Sequence, residues 1–544
     1  MFRKISFLCV ILALAVSAVI NAATYPGQLG VNLGGTSEAG GMFVDMAKEH
    51  HRWSRLPEGT MKFDKGGWPA SDARLIMDFR LVAEWAGTID DPEQYRYDNT
   101  GTYKCSFSGQ ANIKAKGATV ENQSFDSKTN KTTFDLKITK KRVYCQLDFT
   151  NTKRDEKSTE NTGISNLKMN KPGYPADTKQ LFTDDFLNCL ESANFGVVRY
   201  MNTTNTNHND AKYPATMSWS ERKLMTDSSQ VSMKDFGKMQ GAAWEYVIEL
   251  ANMTKIDPWI NVPVSADKNY IRELAEQFRD NLDKELNLYV ENSNEVWNGM
   301  FFQQQYNKAQ AKELGINEHE NYARRAVEIA KIFEEVFGEG SLNKRVRIVL
   351  CSHSPMLKWW VENYMVKYMV NTMGITPKDY IWGIARQTYF GCGDPDPDSR
   401  SIDELIDACL EDVNAQIDIP SGGQSGRKQW IEKAASWGFV GGANSYEGGF
   451  HSPAGGKRVN LDNKIQMHRV DRAKDVLKYN YDDGFFALGG NIAMHFTLQS
   501  SYARHGCWGL TDDLSNPDRN HKFQACRELL RKDKGQIALT EEDD

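Results

Sequence analysis

From about residue 180 onward the chain alternates short β-rich runs with segments of helical periodicity, a pattern that requires a largely parallel sheet. Residues 195–201 (Phe-Gly-Val-Val-Arg-Tyr-Met) read as a buried strand. The next helix places Trp244, Val247, Ile248 and Ala251 on one face. After the strand at 259–264, Ile271, Leu274, Ala275, Phe278 and Leu282 follow at i, i+3, i+4, i+7 and i+11, a spacing that a strand cannot use. Further strands are expected at 286–290, 345–351, 380–386, 439–445 and 487–496. The intervening helices include one through Ala326, Ile329, Ala330 and Phe333 that ends at Gly338, and one opened by the capping box Ser401-Ile-Asp-Glu404. With an early strand at 29–33 the count is eight, and eight such units predict an α/β fold, a closed (β/α)8 barrel. An open doubly wound sheet is the alternative. It lacks a Gly-rich phosphate loop, since Gly338-Glu-Gly340 ends a helix.

One segment breaks the alternation. Residues 75–168 are rich in Thr, Ser, Lys and Asn, and 103–107, 111–114, 133–138 and 143–147 alternate like antiparallel strands. This predicts a small β-sandwich inserted between a first barrel strand and loop (24–74) and the rest of the barrel (169–530), with a polar tail at 531–544. Residues 1–23 read as a secretory signal peptide: Arg3 and Lys4, an apolar run from Phe7 to Ile20, then Asn21-Ala22-Ala23. That run is shorter than the ~20 residues that span a bilayer, so the expectation is a secreted, extracellular protein with no membrane insertion after cleavage. Of nine cysteines, Cys9 falls in this leader. The eight others suit disulfides in an exported chain, with Cys105 and Cys145 placed to staple the β-sheet. Sequons at Asn122, Asn130, Asn202 and Asn252 are glycosylation sites only in a host that modifies them.

The net charge of −6, with both signs interspersed, argues against nucleic acid as partner. Neither CxxC nor HExxH occurs, so no metal and no other cofactor is expected. The stretch 393–399 (Gly-Asp-Pro-Asp-Pro-Asp-Ser) reads as an acidic solvent loop, with calcium as the other reading. Gly-x-Ser-x-Gly is also lacking, which removes the usual esterase arrangement.

Barrel enzymes build their sites at the carboxyl ends of the strands. Strand four ends Glu291-Asn-Ser-Asn294-Glu295-Val-Trp297-Asn298, and strand seven ends Tyr446-Glu447-Gly448-Gly449. Carboxylates on these two strands face each other across a barrel mouth, and glycosidic bonds need such a pair: one group protonates the leaving oxygen, the other attacks or activates water. Glu291, by contrast, reads as a solvated loop charge.

Asn294-Glu295 ending strand four, with Glu447 ending strand seven, resembles the clan A glycoside hydrolases, (β/α)8 enzymes that act with retention. The resemblance covers roughly residues 25–74 and 170–530. It implies Glu295 as acid/base, Glu447 as nucleophile and Asn294 on the sugar 2-hydroxyl. It further implies Arg199 and Tyr389 against the nucleophile and Trp508 as the floor beneath the sugar. Trp297, His353 and His451 are further substrate-binding candidates; a satisfied structural role is the plainer reading for His353, His451 and His495. Val296 stands where the clan often has proline, which leaves the substrate open more than the chemistry. A β-linked glycan of cellulose, β-glucan or mannan type is the implied substrate. A carbohydrate-binding matrix protein without turnover is the alternative, and a metal-dependent hydrolase ranks last. Linkage, endo or exo action and oligomeric state are not encoded legibly.

Overall fold

The structure, a computed structural model, describes residues 27–35, 41–49, 52–78, 97–141, 143–193, 195–207, 216–231, 240–418, 425–451, 459–504 and 506–529. The leader read at 1–23 and the tail at 531–544 lie outside these.

Eight parallel strands close into a barrel: Gln28–Asn32, Val197–Arg199, Asp257–Val262, Leu288–Asn292, Val346–Cys351, Gly383–Phe390, Ala443–Phe450 and Ile492–His495. They are called barrel strands one to eight below. Closure is direct, because strand one pairs with strand eight from Gln28↔Ile492 to Val31↔His495. Each strand corresponds to one expected from the alternation. The helices cap as their sequences dictate: Ser401 closes its capping box on Ile402–Ala415, and Glu318–Phe337 stops at Gly338, whose φ is +100°.

Side chains alternate between two cores, as the strand period of two requires. Val197, Trp259, Tyr289, Val349, Cys351, Ala385, Tyr446 and Met494 fill the barrel interior. Their neighbours Val198, Ile260, Val290, Leu350 and Ile384 face the surrounding helices. Gly30 is required by this packing. A Cβ there would lie 2.3 Å from the Met494 sulfur and 2.7 Å from the Val197 carbonyl oxygen.

Between strands one and two the chain builds two four-stranded antiparallel sheets. Arg52–Arg55, Ala73–Asp78, Tyr144–Lys153 and Gln110–Lys116 form one; Thr119–Asp126, Lys131–Ile138, Gly101–Ser108 and Ser165–Asn170 form the other. Their inner faces share a core in which Phe107 meets Phe149 edge-on, with centroids 5.6 Å apart. The sheets thus reach beyond the 75–168 segment: Arg52–Arg55 precedes it, and Ala73–Asp78 and Ser165–Asn170 cross its two ends. Arg-Trp-Ser-Arg at 52–55 is too short and charged to show its alternation, and only pairing with Ala73–Asp78 makes it a strand. Cys105 and Cys145 do not staple the sheet: both are buried free thiols, one in each sheet, as are the other buried cysteines of the described chain. No described helix is long and apolar enough to cross a membrane.

Candidate active site

Strand parity carries polar groups into the barrel's upper layer. Above Val197 on strand two sits Arg199, and above Tyr289 on strand four sits Glu291. Both are buried, and they form a two-pronged pair: Arg199 Nε donates to Glu291 Oε2 at 3.0 Å and Nη2 to Oε1 at 3.2 Å. The Trp259 indole donates to the same carboxylate at 2.9 Å. Glu291 is therefore no solvated loop charge. Facing Arg199 across the closed barrel makes it the guanidinium's main counter-ion. Burial raises its carboxyl above the ordinary range, against the lowering effect of the Arg199 charge.

The other edge of Arg199 points to the mouth. Nη1 donates to Glu447 Oε1 at 2.9 Å and to Asn32 Oδ1 at 3.0 Å, and Nη2 donates to Asn294 Oδ1 at 2.9 Å. Tyr389, at the end of strand six, donates its hydroxyl to Glu447 Oε2 at 3.0 Å. Both oxygens of Glu447 are thus held, one by a fixed cation and one by a phenol. Burial pushes this carboxyl up to about 7; Arg199 opposes the rise, Glu295 adds to it and Tyr389 opposes it.

Glu295 stands in a different setting. It is half-exposed and accepts from neutral donors only: Tyr446 OH at 2.9 Å, Gln387 Nε2 at 3.2 Å and Asn298 Nδ2 at 2.9 Å. Its backbone is left-handed, with φ +40°, as is that of Ser293 at +59°. Such conformations cost a non-glycine residue about 1–3 kcal/mol and cluster at functional sites. The turn is fixed from outside by Gln303, whose amide donates to the Asn294 carbonyl at 2.8 Å.

A register shift between strands six and seven explains how Tyr446 and Glu447 both serve the mouth. Arg386 pairs with Ser445, but Gln387 pairs with Glu447, so strand seven holds one extra residue. A bulge of this kind re-aims side chains next to a site. Here Tyr446 stays in the interior layer and reaches Glu295, while Glu447 meets Arg199 and Tyr389.

The remaining expected residues lie around this centre. Trp297 is half-buried, with its ring set edge-on against Tyr446 (6.2 Å) and Tyr322 (6.0 Å), so it backs Tyr446. Phe496, at the end of strand eight, packs 6.3 Å from Tyr389, and Trp508 packs 6.1 Å behind Phe496. The aromatic adjoining Tyr389 from strand eight is therefore Phe496. His451 sits 5.8 Å from the Tyr389 ring, and His353 lies exposed on the rim 6.1 Å from Trp360. His495 is a satisfied structural histidine between Tyr481 OH (2.6 Å) and the Trp508 carbonyl (3.0 Å), and burial lowers it to about 3. Asp394 and Asp398 of the acidic loop pair with Lys464, and Asp398 also with Arg400. Among the described residues no cluster of three or more His, Cys, Asp or Glu is arranged to hold a metal. Glu291, Tyr446, Gln387, Asn298, Asn32 and Phe496 escaped the sequence reading. Only Glu291 left a signal, in its shared parity with Tyr289.

No protein-family model matches the chain, and no curated protein matches it. Among solved structures it is similar to an arabinose-bound GH51 α-L-arabinofuranosidase, at 10% identity over 88% of this chain and 76% of that one, with a TM-score of 0.44. It is also similar to the CBM22-1–GH10 modules of a Clostridium thermocellum xylanase complexed with xylohexaose (9%, 92% and 98%, TM-score 0.32). A Pyrococcus furiosus β-glucosidase is a third (13%, 63% and 82%, TM-score 0.30). The fold itself is a closed parallel eight-stranded (β/α)8 barrel, here with glutamates at the carboxyl ends of strands four and seven.

Proposed function

We propose that the protein is a secreted glycoside hydrolase that cleaves a β-linked polysaccharide or oligosaccharide with retention, using Glu295 as acid/base and Glu447 as nucleophile. The observation that carries this reading is the unequal environment of two carboxylates at one barrel mouth. Glu447 is held by a cation and a phenol, whereas Glu295 is half-exposed and held by neutral donors. A nucleophile needs fixed oxygens and a stabilised negative charge, which Arg199 and Tyr389 supply. An acid/base must gain and lose a proton and be reached by water in the second step, which suits Glu295.

Burial is the main cause of the raised Glu447 carboxyl and the charge of Glu295 adds to it, so Glu447 ionises more readily when Glu295 carries the proton it is to donate. Glu447 then attacks the anomeric carbon while Glu295 protonates the departing oxygen. Water, deprotonated by Glu295, releases the sugar with net retention. Asn294, its side-chain oxygen tied to Arg199, is assigned to the sugar 2-hydroxyl, with Phe496 and Tyr389 as apolar walls.

The test is hydrolysis of a panel of cellulose, β-glucan and mannan oligomers by the protein and its Glu295→Gln and Glu447→Gln variants, with product anomers followed by NMR. Retained product, lost in both variants, is expected. Inverted product refutes Glu447 as nucleophile, and binding without turnover favours a matrix protein instead. Export is tested by sequencing the N-terminus of protein recovered outside the cell, where a start at or near Thr24 is expected.

A further inference from the structure

The strand that carries Gln387 and Tyr389 continues into a loop that bears Cys392. This cysteine is half-buried and packs against the core cluster that contains Cys409, a fully buried residue of the helix Ile402–Ala415. The two thiols interact with each other, and the Cys392 thiol donates to the Gly393 carbonyl at 3.5 Å. The loop is bound to this helix on both sides of Cys392. Gly391 N–H donates to Asp412 Oδ2 at 2.8 Å, and the Gln416 amide donates to the Tyr389 carbonyl at 2.8 Å. Arg400, just ahead of the helix, donates to the carbonyls of Cys392 at 2.5 Å and Gly393 at 3.1 Å.

Cys392 differs from the other described cysteines. Cys105, Cys145, Cys189, Cys351, Cys507 and Cys526 are all buried, and burial pushes each of their thiols up. Cys392 is reachable from solvent. Its thiol is lowered to about 7, first by the neighbouring Cys409 thiol, against burial, and then by the charges of Lys464 and Arg400. Reactive cysteines are accessible thiolates in electropositive surroundings, and those that form reversible disulfides have a second thiol close by.

We propose that Cys392 and Cys409 are an oxidisable pair, which a small-molecule disulfide converts into an intramolecular cross-link between the strand-six loop and the helix behind it. The Cys392 thiolate attacks one sulfur of the oxidant, RSSR, forming a mixed disulfide and expelling RS⁻. Cys409 then loses its proton and attacks the Cys392 sulfur, closing the protein disulfide and expelling the second RS⁻. Both cysteines are oxidised, and RSSR is reduced to two thiols once the thiolates take up the two protons released. The linked loop holds Tyr389 three residues from the bond. The pair is independent of the glycosidase reading.

The experiment is incubation of the full chain with oxidised glutathione, alkylation of the remaining thiols and mass spectrometry of a non-reduced digest. The expected result is a Cys392 peptide joined to the Cys409 peptide, with both protected from alkylation while the six buried cysteines are alkylated after unfolding. In Cys409→Ser, Cys392 is expected to stop at the glutathione mixed disulfide. Alkylated Cys392 in the oxidised sample, glutathione persisting on Cys392 of the unsubstituted chain, or a bond to any other cysteine would each overturn the proposal.

Discussion

Glu447→Gln separates stability from chemistry at the centre of the barrel. Folding lifts the Glu447 carboxyl from an ordinary 4.5 to about 7. The folded chain therefore binds this proton more tightly than the unfolded chain between those values. By linkage, the Glu447 contribution to stability is greatest below pH 4.5, declines as pH rises and levels off above about pH 7. At 1.36 kcal/mol per pH unit, the interval corresponds to roughly 3 kcal/mol that the ionised side chain costs at pH 8. Glutamine keeps the shape and carries no charge. Arg199 is not stranded by the change, because Glu291 still engages Nε and Nη2, and Asn32 and Asn294 still accept from it. The variant is therefore expected to exceed the parent chain in stability by about 2–3 kcal/mol more at pH 8 than at pH 4.5. Urea unfolding of both proteins at the two pH values measures this difference. A gap that does not change with pH would refute the reasoning. So would a variant weaker than the parent at pH 8, which would mean that Arg199 depends on the charge of Glu447.

Three further outcomes follow from the same geometry. Glu291→Gln removes the main counter-ion of a fully buried guanidinium and should destabilise the fold by about 3–5 kcal/mol in urea unfolding, the opposite sign from Glu447→Gln. Tyr389→Phe removes a donor to the ionised form of Glu447. Its carboxyl should rise further, moving the acid limb of the kcat/KM profile upward by about one pH unit. Gly441→Ala would set a Cβ 2.1 Å from the Trp382 indole, so a loss of about 1–3 kcal/mol in thermal or urea unfolding is expected from overpacking.

What the sequence determined by itself is local. Alternation of period two and period 3.6 places all eight barrel strands, because burial on one face is written into neighbouring residues. Ser401 and Gly338 mark helix ends because capping is satisfied within a few positions. The fold, and with it Glu295 and Glu447 at the ends of strands four and seven, was legible on those grounds. The tertiary structure decided what depends on closure. Glu291 and Glu295 lie four residues apart with the same chemistry. One becomes a buried counter-ion because Arg199, 92 positions away, faces it across the barrel, and the other stays half-exposed at the mouth. Tyr446 reaches Glu295 only because strand seven holds one residue more than its neighbour, a register that no single strand encodes. Phe496 adjoins Tyr389 with Trp508 behind it, Arg52–Arg55 becomes a strand only beside Ala73–Asp78, and Cys392 meets Cys409 through the packing of a loop on a helix. Periodicity specifies which face of an element is buried; partners across the fold follow from how the elements close on one another.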